Sequence, residues 1–303
     1  MLAAKNSQKT VEKMKQNEFK TFHPIVNFIY FLFVICFSVT FMHPVCLGFS
    51  LIGSMLYTYF LGSGKKLLFV LPVFLATALI NPAFNHAGIT VLGYLPSGNP
   101  LTLESIIYGL ATGIMIASVI LWFSCYTEIM TSDKFIYLFG RILPSLSLLL
   151  SMTLRFVPRF ISQIRMISAA QKGIGRGSKN GGIFARAKNG LSVLSAATTW
   201  ALENSIETAD SMKGRGYGLR GRTAFSIYKF DKRDTKALAV ILLLGLYVLA
   251  GRIAGFMSFR YIPSLYGAGF SYLNLSFFAA YFLLCIYPLG VEILEAQRWK
   301  RTA

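Results

Sequence analysis

The sequence predicts an all-α fold: a polytopic membrane protein with about six transmembrane helices and a cytoplasmic domain of long crossed helices. Three observations carry this. Hydrophobic residues make up 54% of the 303, with 26 Phe and 15 Tyr, which is too apolar for a soluble chain of this size. The apolar residues fall in runs near the ~20 residues that a helix needs to cross a bilayer. The 30 Lys and Arg, which give a formal net charge of +18, flank those runs instead of interrupting them.

Taken in order, residues 1–20 are Lys-rich and polar, a cytoplasmic tail without the features of a cleavable signal peptide. Residues 21–130 form a first membrane block of about four spans. Phe22–Met42 is one continuous apolar run, His43-Pro44 makes a turn, and Pro44–Leu61 returns. Gly62-Ser63-Gly64-Lys65-Lys66 reads as a tight basic loop, and the third run, Leu67–Ile80, is short and stops at Asn81-Pro82. Phe84–Thr102 holds Gly, Pro and Asn but no Lys or Arg, and Ser105–Thr127 spans again. Residues 131–236 form a basic, helical domain. Residues 237–291 supply two further spans (Ala237–Met257 and Phe270–Val291), and residues 292–303 a basic tail.

Charge placement tests this topology. With both termini in the cytoplasm, the inner segments hold five basic residues in the N-terminal tail, Lys65 and Lys66, eighteen from Lys134 to Lys236, and three in the C-terminal tail. Only Arg252 and Arg260 fall on the outer side, as the positive-inside rule requires. A seventh span over Phe135–Leu154 would place the following basic residues outside, and the segment contains Arg141 and Pro144. It is expected to be an amphipathic helix lying along the interface.

In the middle domain, Ser145–Lys172 has the pattern of one long helix, about 42 Å at 1.5 Å per residue. Leu149, Met152, Phe156, Phe160, Ile164 and Ile167 recur on one side, and Arg155 and Arg159 share another. Pro158 is expected to kink or break it. A second helix, Ile183–Lys213, has an inner stripe of Ala187, Leu191, Leu194, Thr198, Leu202, Ser205, Ala209 and Met212, with Glu203, Glu207 and Asp210 as an acidic row. That row either meets Arg155 and Arg159 and holds the two helices in register, or both rows are simply solvated faces. Each helix is followed by Gly-Arg-Gly: Gly175-Arg176-Gly177 and Gly214-Arg215-Gly216. A cation and glycines at a helix C-terminus are ordinary, since the helix dipole favours them. A guanidinium between small residues is also a planar fork suited to carboxylates in a partner's groove.

Three stretches carry a family resemblance. They are Leu154-Arg155-Phe156-Val157-Pro158; Ala170-Gln171 leading to Gly175-Arg176-Gly177; and Glu207-Thr208-Ala209-Asp210-Ser211-Met212-Lys213-Gly214-Arg215-Gly216-Tyr217-Gly218. With the six hydrophobic segments, the chain resembles the transmembrane T component of an energy-coupling factor (ECF) transporter, a family that includes the cobalt-transport Q-type permease subunit. The resemblance implies a bacterial cell-membrane protein that couples two ABC ATPase subunits to a substrate-binding membrane S component, for uptake of a vitamin or a transition-metal ion. It also implies that two X-Arg-X motifs, here centred on Arg176 and Arg215, dock into grooves on the ATPases. This sequence departs in having Gly before each arginine and extra residues between Gln171 and Arg176.

Other chemistry is not expected. Gly62–Lys66 is too short for a phosphate-binding loop and lacks its hydroxyl residue, so any ATP is bound by the partner ATPases and the chain needs no cofactor of its own. Cys36, Cys46, Cys125 and Cys285 lie in apolar runs without metal spacing. Three scattered histidines argue against a catalytic or metal site. His23 and His43 each precede Pro near a membrane boundary, and Asn81, Asn85 and His86 suit the outer end of the third span. Glu104 suits the start of the fourth, and Gly48, Gly53 and Ser54 suit close helix contacts. Apart from the lipid bilayer and the protein partners, no nucleic acid is expected, because the base-stacking aromatic pattern is missing from the basic domain. The rival reading is a stand-alone secondary transporter, which needs its own midplane site; Pro72 and Pro82 in the short third span are its one hint.

Overall fold

The computed structural model describes residues 17–94, 100–140, 144–175, 182–217, 219, 228–267 and 271–302. Its helices are α1 (Glu18–Thr21), α2 (Pro24–Thr40), α3 (Pro44–Phe60), α4 (Gly64–Phe84), α5 (Leu103–Ile129), α6 (Ser132–Gly140), α7 (Pro144–Gly173), α8 (Ile183–Gly214), α9 (Lys232–Ile253) and α10 (Tyr272–Thr302). Two small antiparallel hairpins, β1 (Val91–Tyr94) with β2 (Pro100–Thr102) and β3 (Phe259–Arg260) with β4 (Tyr266–Gly267), complete the described residues. The chain divides into two compact units: Met1–Lys134 with Tyr228–Ala303, and Phe135–Ile227.

In the first unit, α4, α5, α9 and the Tyr272–Glu295 part of α10 are long and apolar enough to cross a bilayer. The apolar helices α2 and α3 have 17 residues each, at the short end of spanning length. The predicted all-α polytopic membrane fold is therefore the observed one, with four helices of full spanning length and two shorter apolar ones among the described residues. Helices α2 and α3 begin alike: His23 and His43 are their N-caps, each accepting a hydrogen bond at Nδ1 from the backbone N–H two residues on (3.3 Å), with Pro at the first helical position. The two histidines are thus explained by helix starts.

Helix α4 departs from expectation. It is 21 residues long, takes Lys65 and Lys66 into its first turn, and runs through Asn81-Pro82 instead of stopping there. Pro82 has no N–H for the Ala78 carbonyl, a group that lipid cannot satisfy. Against that carbonyl lies Gly109 of α5, where a Cβ would come within 2.8 Å of the Ala78 oxygen. A Cβ on Gly113 would likewise stand 3.0–3.2 Å from Phe74. Glycine on α5 therefore lets the two helices meet at backbone distance over the proline. Gly53 plays the same part between α3 and Cys285 of α10, whereas Gly48, expected to do so, has nothing within 4 Å. Phe84–Thr102 contains the β1–β2 hairpin, and buried Glu104 holds it by accepting from the Thr90 N–H and hydroxyl (2.9–3.3 Å).

The core of this unit is aromatic. Phe19, Tyr30, Phe31, Tyr57 and Trp122 are buried and meet edge-to-face or tilted at 5.2–6.5 Å. A small polar chain threads it: Trp122 donates Nε1–H to Ser50 (3.1 Å), whose hydroxyl lies 2.6 Å from that of Ser38. At one end of the bundle a denser knot collects the charges. Buried Glu292 accepts the backbone N–H groups of Glu18 and Phe19 (3.1 Å each) and so caps α1. Asp234 accepts the His23 N–H (3.1 Å) and closes a capping box with Asp231 at the start of α9. Arg233 donates to Thr21 (2.6 Å), pairs with Glu18 (3.4 Å) and lies over the Phe22 ring (4.3 Å). The expected tails are thus shorter than 1–20 and 292–303: Glu18–Lys20 belong to a docked helix, and α10 continues to Thr302. Helix α9 also begins at Lys232, five residues before the expected span.

In the second unit, the expected helix over Phe135–Leu154 is instead divided between α6 and α7. The Ser147 hydroxyl donates to the Ile136 carbonyl (3.2 Å) and folds the two together. Helix α7 passes Pro158 without a break. Its predicted stripe is half-buried at Met152, Phe156, Phe160, Ile164 and Ile167, but Leu149 is exposed. The stripe expected on α8 is displaced. Val193 and Ala197 are buried and Ala201, Asn204 and Thr208 half-buried, while Leu191, Leu194 and Leu202 face outward. Small residues let α7 and α8 approach, and the leucines are left as an apolar outer face.

Candidate functional site

Both long helices of the second unit end at a left-handed glycine. At the close of α8, the Arg215 N–H bonds to the Ser211 carbonyl (3.2 Å), Gly216 N–H to Lys213 (2.9 Å) and Tyr217 N–H to Met212 (3.0 Å). The last two bonds define a Schellman turn, which needs a left-handed residue at Gly216 (φ 75°) and makes Arg215 the C-cap. At the close of α7, the Ile174 N–H bonds to Ala170 (3.3 Å) and Gly175 N–H to Lys172 (3.1 Å), with Gly175 at φ 80°.

The two ends therefore align as Lys172-Gly173-Ile174-Gly175 with Lys213-Gly214-Arg215-Gly216. In this register the counterpart of Arg215 is Ile174, and Arg176 is one residue beyond the left-handed glycine, where Tyr217 stands in the other copy. Arg176 and Gly177 lie outside the described residues. Ile174 is 67% exposed, and Arg215 is exposed as well. The repeated Lys-Gly-x-Gly, with its second glycine in the left-handed position, is the signal that aligns the two ends.

The proposed supports are all on exposed faces: Arg155, Pro158 and Arg159 on α7, and Glu203, Glu207 and Asp210 on α8. Among the described residues no ion pair joins the two rows. The one pair within them is Asp210 with Lys213, at 3.9 Å and highly exposed, which contributes at most about 1 kcal/mol. The half-buried side chains on α7 include Met152, Phe156, Phe160, Ile164 and Ile167, and the buried ones on α8 are Val193 and Ala197. Among the described residues there is also no group of three His, Cys, Asp or Glu able to hold a metal ion.

The candidate site is thus two helix tips, each closed by a left-handed glycine and carrying different side chains. The family profile described as "Cobalt transport protein", CbiQ, matches residues 14–225, which include both tips and the first four spans. The chain belongs to the CbiQ family. Among curated proteins it is similar to "Energy-coupling factor transporter transmembrane protein EcfT" of Bacillus selenitireducens, 34% identical over 111 residues, 36% of this chain and 41% of that one. The protein of the same name from Lactobacillus helveticus is 35% identical over 106 residues, 34% of this chain and 38% of the relative. An uncharacterised "MG181 homolog" of Mycoplasma pneumoniae is 29% identical over 161 residues, 49% of this chain and 37% of its own. The chain spans about two fifths of the length of the curated relatives it matches. Membership of the CbiQ family and the six apolar helices make it a membrane component of a transport system.

Proposed function

We infer that the chain is the transmembrane energy-coupling subunit, or T component, of an ECF-type ABC transporter. Two ATPase subunits close on ATP and move the tips of α7 and α8; those helices carry the motion to an S component that delivers a vitamin or a transition-metal ion. The observation that supports this most is the shared helix ending. A left-handed glycine ends each long helix, directly after exposed Ile174 on one, with Arg176 following that glycine, and directly after exposed Arg215 on the other, and two like ends suit two like motors.

The chemistry assigned to Arg215 is a bidentate guanidinium–carboxylate contact with an ATPase groove. The supports Arg155, Pro158, Arg159, Glu203, Glu207 and Asp210 keep the helices stiff and soluble between their ends. The chain itself binds no nucleotide in this scheme, and its basic end, with both termini, faces the cytoplasm.

Co-expression with the neighbouring ATPase genes tests the reading. Tagged chain is expected to bring down two ATPase copies and a small membrane protein, with ATP hydrolysis stimulated by substrate. Purified chain that moves solute into vesicles without any ATPase would overturn it.

A further inference from the structure

Between the start of α9 and the end of α10 lies an open groove of about 450 Å³. Lys232, Arg233, Lys236 and Arg298 line it together with Glu295, and its apolar floor is formed largely by Val240, Val291 and Leu294. Two of the cations have carboxylates of their own: Arg233 has Glu18 at 3.4 Å and Arg298 has Glu295 at 3.2 Å. Lys232 and Lys236 have no carboxylate within 4 Å among the described residues, and both are exposed. They stand one turn apart on one helix face, an arrangement that destabilises a helix unless an anion lies between them.

We propose that this groove binds one anionic phospholipid, its phosphate between Lys232 and Lys236 and an acyl chain along Val240, Val291 and Leu294. Three features commit it to a lipid over a soluble anion. The cations sit at the ends of two helices long and apolar enough to span a bilayer, at headgroup depth. The apolar floor continues down those helices, and Val240 and Leu294 are 44% and 60% exposed, open to hydrocarbon. Lysine stems lying on apolar surface with their ammonium groups at the interface are the usual arrangement at this depth. The end of the bundle is also the one where Lys20, Lys66, Lys134 and Arg233 gather, the end that positive charge assigns to the anionic inner leaflet. The site stands independently of the ATPase-docking reading.

Native mass spectrometry of the purified full chain, delipidated and offered equal phosphatidylglycerol and phosphatidylcholine, tests it. One phosphatidylglycerol is expected to be retained preferentially. Lys232→Gln with Lys236→Gln should lower that retention tenfold or more, since each interfacial cation is worth roughly five-fold. Lys65→Gln with Lys66→Gln, which removes equal charge from the same end but away from the groove, should leave it unchanged. Leu294→Trp, filling the groove without altering charge, should also lower it, and soluble glycerol phosphate should not displace the lipid. Equal retention of both lipids, equal effects of the two lysine pairs, or displacement by glycerol phosphate would each overturn the site. Retention of no lipid from any mixture would likewise end the proposal. Unchanged thermal midpoints of the variants confirm that folding is not what changed.

Discussion

Gly175 and Gly216 decide which side chains leave the helix ends. A residue other than glycine at φ near +80° strains the backbone by about 1 kcal/mol, so the cap register is fixed by the glycine and not by the arginine nearest to it. If the proposed docking follows that register, Ile174, an apolar tip, takes at one ATPase the place of Arg215 at the other. Ile174→Asp and Arg215→Ala are each expected to weaken recovery of the ATPases by about 30-fold, the usual effect of losing an anchoring side chain of ~2 kcal/mol. Arg176→Ala is expected to change it by less than about 3-fold. Quantitative pull-down at several salt concentrations reads both effects, and only the Arg215 contact should weaken in salt. If Arg176→Ala matches Arg215→Ala while Ile174→Asp is silent, the arginine register is right and the cap register is wrong. If all three are silent, docking lies elsewhere on the chain.

Spans were legible at the scale of the element because burial in lipid demands a long apolar run, and six such runs are visible in the sequence. Their ends were not, because a polar or proline residue stops a helix only when nothing else satisfies the backbone. Pro82 is read as a stop until Gly109 is seen against the Ala78 carbonyl. The inner face of α8 was misread for a related reason. Leucine is the larger apolar residue, so pattern reading turns Leu191, Leu194 and Leu202 inward, but close approach of two helices selects Ala197 and Ala201. The helix tips were half legible: both ends were placed within a residue or two, yet the left-handed glycine that closes each is set by a φ angle that spacing does not show. Gly109→Ala tests the close contact of α4 and α5. It should cost about 1–3 kcal/mol by forcing backbone apart, read as a lower thermal midpoint in detergent. Gly48→Ala, with open space around it, should be neutral or raise stability by up to about 1 kcal/mol through helix propensity. Equal effects of the two would remove the argument from Gly109.

A net charge of +18 loads the whole molecule, and within the first unit, where basic residues gather at one end of the bundle, part of the cost falls on one buried side chain. Lys134 is 5% exposed, donates to the Lys20 carbonyl, and lies 2.8 Å from the Asn27 amide oxygen. Burial first, and the neighbouring Lys20 charge second, push its ammonium down to about 8. An unfolded chain holds that proton to about pH 10.4. Below pH 8 both states are protonated and the burial cost is present in full. As pH climbs from 8 toward 10.4 the folded state releases its proton first, so stability rises with pH across that window. At ~1.4 kcal/mol per unit the gain has a ceiling of about 3 kcal/mol, reduced by the hydrogen bonds that favour the charged form. The thermal midpoint of the full chain minus that of Lys134→Met should therefore grow between pH 7.5 and 9.5. A difference that stays flat or shrinks over that range would mean that the Lys20 carbonyl and Asn27 compensate the buried charge completely, leaving the crowded end no burden on folding.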